Sequence, residues 1–401
     1  MLRINILTRG FATPNGRAFL FPLVVHQRAL RDAGLDIRFV ELSVPDNLAD
    51  CDLLFIESRV FSPRWAAEGD ARVLEDLATL SSQVPIAWFD ISDSTGWLQS
   101  QVLPLVRLYC KAQLLSDRTA YTKAHYGNRI WADFYHREDG VNDDDPAEPR
   151  IVENRQLLDR LRVSWNSGLA DYTLHGPTRM ALRERIPVNA LLRPPRRFTP
   201  PDRPRSIDFV CRMGTNYPRA TVAHQRRRIA EQLANRMPTS KLGRRAFMNE
   251  MRDTRVVVSP FGFGEITLKD FEATLCGAAL LKPDMSHMET WPNLFRGGET
   301  IVTHKWDLSD FRDRIEEIPD RTTELQAIAE RAQATYREAL WGPDAAAGFA
   351  QRVRRIVDDA ITAQITSTAA SLTGEQISTA YLENVFLGFT TLGEQLGEAL
   401  A

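Results

Sequence analysis

Short apolar runs alternate with helical or polar segments through the first half of the chain. The run LRINILT at 2–8 leads into the polar loop RGFATPNG, and residues 17–33 then show helical spacing up to Gly34. Further apolar runs lie at 37–42, 52–58 and 84–90. This alternation is typical of a buried parallel sheet with crossover helices. The first half is therefore predicted to be a Rossmann-like α/β domain.

A proline- and arginine-rich stretch, LLRPPRRFTPPDRPR, fills residues 191–205. Such a stretch continues neither a helix nor the interior of a sheet, so we place the interdomain linker there. The apolar pattern then restarts, with predicted strands at 206–214, 251–260 and AALLKP and predicted helices at 221–236 and from Thr267 to Cys276, stopped by Gly277. The second half is thus also predicted to be α/β.

From Arg312 onward the chain is predicted to be mostly helical, and these helices are expected to pack on the outside of the two domains. The predicted fold class is α/β, with two Rossmann-like domains facing a cleft. Its predicted domains are residues 1–195, residues 196–335 and a C-terminal helical segment over 336–401. A chain of 401 residues fits this, because it exceeds what one hydrophobic core usually supports.

Composition narrows the class of protein. The 50 basic and 52 acidic residues give a net charge of −2, which leaves no overall field for nucleic acid, so none is expected as a partner. The four cysteines show no CxxC spacing, and neither a zinc site nor a disulfide framework is predicted. Neither a signal peptide nor a transmembrane run is seen. We expect a cytoplasmic protein, with peripheral membrane contact left open.

The candidate chemistry centres on the stretch SPFGFGEITLKDFEATLCGAALLKPD. Gly262 and Gly264 belong to a turn that leads into the helix predicted from Thr267. The N-terminal end of a helix is a ready site for phosphate, so these three residues are predicted to bind the donor. Lys269 adds a positive charge in the first turn. Glu272, one turn later, is placed to accept hydrogen bonds from ribose hydroxyls. The pattern therefore predicts a site for a nucleotide-sugar diphosphate.

The spacing Glu272-Ala273-x-x-x-Gly277 before an apolar strand resembles the E-A-x-x-x-G-x-P element of GT-B glycosyltransferases. In that family the glutamate holds the nucleotide ribose, and a basic residue three positions earlier, here Lys269, is familiar from exostosin-like and CgeB-like members. The resemblance implies a donor domain in the second half and an acceptor domain in the first. The common E-x7-E pair would need a glutamate where Gly264 stands. Glu265 gives only E-x6-E, so its predicted donor-binding role departs from the family.

The segment CRMGTNYPR follows the first predicted strand of the second domain. The resemblance implies an arginine or lysine there that neutralises the donor diphosphate, and Arg212 and Arg219 are the candidates. A solvated or helix-capping role is the alternative for each.

Candidates for the general base come from the first domain. Asp90 and Asp93 lie just beyond the carboxyl end of a predicted strand, where α/β ligand sites form, although both could instead cap a turn or helix. His136 in DFYHRED is a third candidate, with a structural role as the alternative. Lys269 is assigned the stabilisation of the leaving diphosphate.

Three other segments are weaker candidates. DFYHRED and SWNSGLADY mix aromatic and polar residues, which suits either sugar stacking or a domain interface. The loop RGFATPNGR is a candidate acceptor contact. Asp143 and Asp145 in NDDDP resemble a metal-binding DxD, but no apolar strand leads into them, so a solvated loop is predicted and no metal is expected.

The leading hypothesis is a metal-independent GT-B glycosyltransferase without a cofactor, acting in bacterial glycan or glycoconjugate synthesis. Its partners would be a nucleotide sugar and a glycan, lipid-linked or protein acceptor. Two alternatives stay open: a nucleotide-sugar epimerase on the same fold, and a catalytically silent protein that binds a glycan or nucleotide.

Overall fold

The computed structural model describes residues 1–41 and 48–363. Within these ranges strands β1 to β12 span Leu2–Thr8, Leu35–Glu41, Leu53–Glu57, Ile86–Asp90, Leu108–Lys111, Gln113–Leu115, Leu161–Val163, Ile207–Val210, Thr254–Val258, Ala279–Pro283, Met288–Thr290 and Val302–His304. Helices α1 to α11 span Pro14–Val25, Gln27–Asp32, Ser62–Gln83, Ile130–Asp139, Gly176–Arg185, Ala220–Leu233, Arg244–Arg252, Leu268–Leu275, Phe311–Glu316, Thr322–Trp341 and Ala345–Thr362.

The first sheet has the strand order β2-β1-β3-β4-β5-β7, and each neighbouring pair is parallel. Strands β3 and β4 are buried along their whole length. Phe55 and Phe89 pack into one core, whereas Leu54 and Trp88 pack into another, so both faces of the sheet are covered. The predicted buried parallel sheet is therefore confirmed. The loops after its strands meet at one edge, where ligand sites of α/β sheets form.

The helix predicted over residues 17–33 is instead two helices, α1 and α2, which meet at His26. The predicted strand at 37–42 corresponds to β2, and its last residue lies outside the described ranges.

The second sheet has the strand order β12-β10-β9-β8 and is also parallel throughout. Helices α6 and α7 connect β8 to β9, and α8 connects β9 to β10. The helix predicted from Thr267 to Cys276 is confirmed as α8. It is followed by Gly277 at a φ of +72°, a left-handed conformation that glycine adopts without strain.

A short antiparallel ribbon joins the two halves. Strand β6, which follows β5 of the first sheet, pairs with β11, which follows β10 of the second. Helix α10 packs on α8, β9 and β10, whereas α11 packs on α2, β3 and β5 of the first half. The chain therefore crosses back to the first sheet near its described end.

Residues 192–206 form no helix or strand, as the proline-rich composition predicts. The boundaries of the three predicted domains stay a prediction, and residues 364–401 of the third lie outside the described residues. No helix in the described ranges is long and apolar enough to cross a membrane.

Candidate functional site

The start of α8 is fixed by its own side chains. Thr267 and Asp270 form a capping box, in which each side chain accepts a hydrogen bond from the backbone N–H of the other residue. The carboxylate of Asp270 also pairs with the buried Lys282 ammonium at 2.9 Å. Some N–H groups expected to face a phosphate are thus already satisfied. Lys269 adds a positive side-chain charge at this helix end.

Lys269 is a half-buried cation whose ammonium makes no hydrogen bond or ion pair with any residue that the structure describes. Burial, together with the positive charges of Arg226 and Lys282, lowers the pKa of Lys269 from 10.5 to about 8. A desolvated ammonium without a counter-ion is costly, and an arriving anion would relieve that cost. The surroundings of Lys269 therefore suit an anionic ligand.

Glu272 is buried and already has a partner. Its Oε1 accepts a hydrogen bond of 2.6 Å from Nη1 of Arg244, and the same guanidinium donates to the backbone carbonyls of Tyr172 and Thr173 in the first half. Burial raises the pKa of Glu272, although the Arg244 charge opposes the shift. Glu272, which was predicted to bind the ribose, thus also binds an arginine that contacts both halves of the molecule.

The glycine-rich turn is docked against the first half. Glu265 is fully buried and accepts hydrogen bonds from the backbone N–H of Thr95, at 3.0 Å, and from its hydroxyl. Nε2 of His287 lies 3.5 Å from Oε1 of Glu265, the oxygen that also accepts the bond from the Thr95 hydroxyl. Burial alone would raise the pKa of Glu265, but the bonds from His287 and Thr95 hold it below its ordinary value. Glu265 therefore ties the halves together, which its predicted donor-binding role did not anticipate.

The two glycines of the turn differ. A Cβ atom at Gly264 would lie 2.0 Å from the carbonyl oxygen of Asp93, so only glycine permits this approach of the two backbones. A Cβ atom at Gly262 would be no nearer than 3.6 Å to its closest neighbour, a guanidinium nitrogen of Arg226. The close contact between the halves therefore depends on Gly264.

Arg212 and Arg219, the two arginines predicted to bind the donor diphosphate, have different surroundings. The guanidinium of Arg212 pairs with Glu250, with Nε 2.9 Å from Oε2, and its Nη1 donates to the carbonyl of Pro238. It is thereby held on the α7 side of the second domain. Arg219 faces the first half, and its nearest carboxylate is that of Asp143, at 3.9 Å. The structure therefore does not bring Arg212 together with Arg219.

Asp90 is buried in a satisfied network. Its Oδ2 accepts hydrogen bonds from the Lys111 ammonium, at 2.9 Å, and from the Tyr109 hydroxyl, at 2.8 Å. Burial alone would raise the pKa of Asp90, but the Lys111 charge and the bonds from Ser92 hold it below its ordinary value. A carboxylate so firmly ionised and bonded is a weak proton acceptor.

Asp93 is the more accessible of the two aspartates. It is exposed, and Oδ1 accepts a hydrogen bond of 2.8 Å from the amide of Asn15. His136 stacks on Tyr126, with 4.0 Å between ring centroids, and its Nδ1 lies 3.1 Å from the Val141 carbonyl. Of the three candidate bases, Asp93 is exposed, His136 is half-buried and Asp90 is buried.

Two cavities flank the docked turn. The cleft cavity, of about 80 Å³, lies between the first sheet and the start of α8 and is lined by residues that include Asn15, Asp93, Trp165, Tyr172 and Thr267. The arginine cavity, of about 380 Å³, is lined by Ser58, Arg59, Ser62, Asp90, Ser92, Asp93, Ser94, Trp97, Gln99, Arg129, Arg219 and Phe263. Asp93 lines both cavities.

The aromatic segment SWNSGLADY contributes to the cleft cavity and to the domain interface. Tyr172 stacks on Phe271 of α8, with 5.1 Å between ring centroids. The loop RGFATPNGR supplies Asn15 to the same cavity. Asp143 of NDDDP is buried, where a solvated loop was predicted, because it accepts hydrogen bonds from the backbone and hydroxyl of Thr221 at the start of α6.

Sequence reasoning missed three residues of this region: Arg244, Arg129 and Thr95. Nε of Arg129 donates a 2.8 Å hydrogen bond to the carbonyl of Phe263 in the glycine-rich turn. In so arginine-rich a sequence, no local signal separates these arginines from solvated ones. No group of three or more His, Cys, Asp or Glu residues in the described ranges could hold a metal ion.

Two parallel sheets, with a docked glycine-rich turn between them, confirm the predicted α/β class with two Rossmann-like halves. A family described as "Glycosyl transferase-like" matches residues 196–347, which include the whole second sheet. The predicted resemblance to glycosyltransferases is therefore confirmed over this segment.

Three solved structures are among those similar to this chain. Anabaena HepE, in complex with UDP-glucose, is 12% identical over 89% of this chain and 100% of its own, with a TM-score of 0.42. A glycosyltransferase from Rickettsia africae is 9% identical over 90% and 99%, with a TM-score of 0.45. The T4 phage β-glucosyltransferase is 10% identical over 89% and 100%, with a TM-score of 0.42. No curated protein matches the chain.

Proposed function

We propose that this protein is a glycosyltransferase that moves a sugar from a nucleoside-diphosphate donor to a hydroxyl-bearing acceptor. The observation that carries the proposal is the unpaired, desolvated Lys269 in the domain that matches the glycosyl transferase-like family. Its position in the first turn of α8 agrees with the family element that contains Glu272. The acceptor would be a glycan, lipid-linked or protein hydroxyl, in glycan or glycoconjugate synthesis.

In this proposal the second domain binds the donor. Lys269 pairs with the diphosphate and stabilises the charge that develops on it as the sugar leaves, so that neither a metal ion nor a cofactor is needed. Glu272 accepts hydrogen bonds from the ribose and shares its carboxylate with Arg244. Asp93, on the first domain, accepts the proton of the attacking hydroxyl.

A donor needs more space than the structure presents in the cleft. Pockets for small molecules commonly measure about 300–1,000 Å³, whereas the cleft cavity measures about 80 Å³. Donor entry therefore requires the docked turn to separate from the first domain. The second candidate function is a catalytically silent protein that binds a nucleotide or glycan, and a nucleotide would need the same separation to enter the cleft. An epimerase on the same fold would need two acid/base groups around one sugar carbon, and of the three predicted bases only Asp93 is exposed and lines the cavities.

The test is incubation with a panel of nucleotide sugars, with and without candidate acceptors, while nucleotide release is measured. A transferase releases nucleotide only with an acceptor, an epimerase interconverts donors without one, and a silent protein binds without turnover. Lys269→Ala should abolish release, and the exposed Lys305 provides the matched control as Lys305→Ala. Equal release by both variants would contradict the proposal. Release that is unchanged by EDTA would support metal independence.

A further inference from the structure

The arginine cavity has the size of a ligand site and lies outside the proposed donor site. Its volume of about 380 Å³ is within the usual range for small-molecule pockets. Three arginines from different parts of the chain line it: Arg59 after β3, Arg129 at the start of α4 and Arg219 at the start of α6. Lys269 and Glu272 are not among its lining residues.

The positive charges in this cavity are poorly compensated. The guanidinium of the exposed Arg59 makes no hydrogen bond or ion pair with any described residue. Nη1 of Arg219 is buried without a hydrogen-bond partner, and its nearest carboxylate, that of Asp143, is 3.9 Å away and already accepts bonds from Thr221. Arg129 donates to two backbone carbonyls, which carry no full charge. The cavity therefore holds an excess of positive charge.

Two aspartates line the same cavity but do not cancel this excess. The charge of Asp90 is balanced by Lys111 at 2.9 Å. Asp93 bonds to Asn15, and with Asp143 beside Arg219 it gives two negative charges against three positive ones. A further lining group, the hydroxyl of Ser94, is buried without any hydrogen-bond partner in the described structure. Buried hydroxyl groups usually have a hydrogen-bond partner. Because the Ser94 hydroxyl has none in the described structure, a ligand atom could supply it.

The cavity also offers an apolar surface. The indole of Trp97 lines it, and the guanidinium of Arg150 lies 5.1 Å from the centroid of that indole ring. Aromatic faces beside hydrogen-bonding groups suit a sugar ring, and several guanidinium groups suit an oxyanion that accepts paired hydrogen bonds.

We propose that the arginine cavity binds an anionic sugar acceptor through its phosphate or carboxylate oxyanion. This inference rests on the proposed function and names the acceptor class for it. Arg59, Arg129 and Arg219 hold the oxyanion, with Ser94 as a further donor, and the sugar ring lies beside Trp97. Because Asp93 lines both cavities, an acceptor hydroxyl bound here is directed toward the proposed base.

The test is direct binding, measured by calorimetry with glucose 6-phosphate, glucuronate and glucose as probes. At least one of the two anionic sugars should bind at least tenfold more tightly than glucose. Tighter binding of glucose 6-phosphate would indicate a phosphate acceptor, and tighter binding of glucuronate would indicate a carboxylate acceptor. Arg59→Ala and Arg219→Met should each weaken that binding at least tenfold. Arg155→Ala, at an exposed arginine elsewhere in the first half, is the matched control and should bind normally.

A nucleoside diphosphate separates this inference from the proposed function. UDP affinity should fall in Lys269→Ala and stay unchanged in Arg59→Ala, while glucose 6-phosphate affinity should show the reverse. Glucose that binds as well as both anionic sugars, arginine variants without effect, or displacement of the sugar phosphate by UDP would each overturn the inference. Binding at the arginine cavity without any sugar transfer would instead contradict only the proposed function. Melting temperatures of the variants report whether each is folded.

Discussion

Replacing Lys269 by Met should stabilise the fold and weaken nucleotide binding at the same time. A pKa lowered from 10.5 to about 8 means that the folded protein disfavours the charged amine, at a cost of about 3 kcal/mol, since each pH unit corresponds to about 1.36 kcal/mol. Methionine has a similar length and no charge, so this cost disappears at neutral pH. Allowing for the partial exposure of Lys269, we expect a gain of about 1.5–3 kcal/mol.

The sign of the pH dependence follows from proton binding. Below pH 8 both folded and unfolded chains carry the proton, and the full cost is present. Between about pH 8 and 10.5 the unfolded chain keeps a proton that the folded protein has released, so wild-type stability should rise with pH over this window. Lys269→Met should lack that rise, and the two proteins should converge in stability at high pH.

Melting temperature and nucleotide affinity, measured on the same preparations, provide the assay. An unfolding entropy of about 2.1 cal/mol/K per residue over 401 residues converts the gain into a rise in Tm of about 2–4 °C at pH 7. UDP or another bound nucleoside diphosphate should lose about ten- to hundredfold in affinity, since a charge-assisted bond is worth about 1.5–3 kcal/mol. Lys305→Met serves as control. A lower Tm, or unchanged diphosphate affinity, would refute the reasoning.

Three further predictions concern the contact between the domains and the proposed base. Glu265→Gln should lower the free energy of unfolding by about 1.5–3 kcal/mol at pH 7, because the hydrogen bonds to Thr95 become weaker. Since the pKa of Glu265 is lowered in the folded protein, this difference from wild type should vanish as the pH falls through that pKa, as measured by urea titration. Asp93→Asn should reduce kcat about a hundredfold or more and leave UDP affinity unchanged, and equal losses in both would argue against a base. Gly264→Ala, whose Cβ would lie 2.0 Å from a carbonyl oxygen, should speed limited proteolysis, whereas Gly262→Ala should not.

The sequence predicted the structure correctly where interactions between residues close in sequence decide it. Buried parallel strands need continuous apolar runs, and these runs predicted both sheets. The start of α8 follows from the capping residue Thr267, and its end follows from Gly277, which adopts a left-handed backbone. The same local reasoning placed Lys269 in the first turn of that helix, where the structure has it.

The partners of the candidate site residues could not be predicted in this way. Arg212 is bound by Glu250, which is 38 positions away, and Glu265 by Thr95, which is 170 positions away. No spacing rule connects such pairs, so position in the sequence and the family resemblance put Arg212 and Glu265 in the donor site without any knowledge of their partners. Arg244 was missed because its role depends on carbonyls in the other half of the molecule.

The ribbon of β6 and β11 has a consequence for how the protein is synthesised. Residues 113–115 obtain their strand partner only when residues 288–290 exist, and helix α11 at 345–362 completes the packing on β3 and β5. During translation the edge of β6 and the apolar surface on which α11 packs therefore stay exposed until nearly all of the described chain has left the ribosome. An expression fragment that ends at the linker would lack both of these contacts, so we expect it to aggregate more readily than the whole chain.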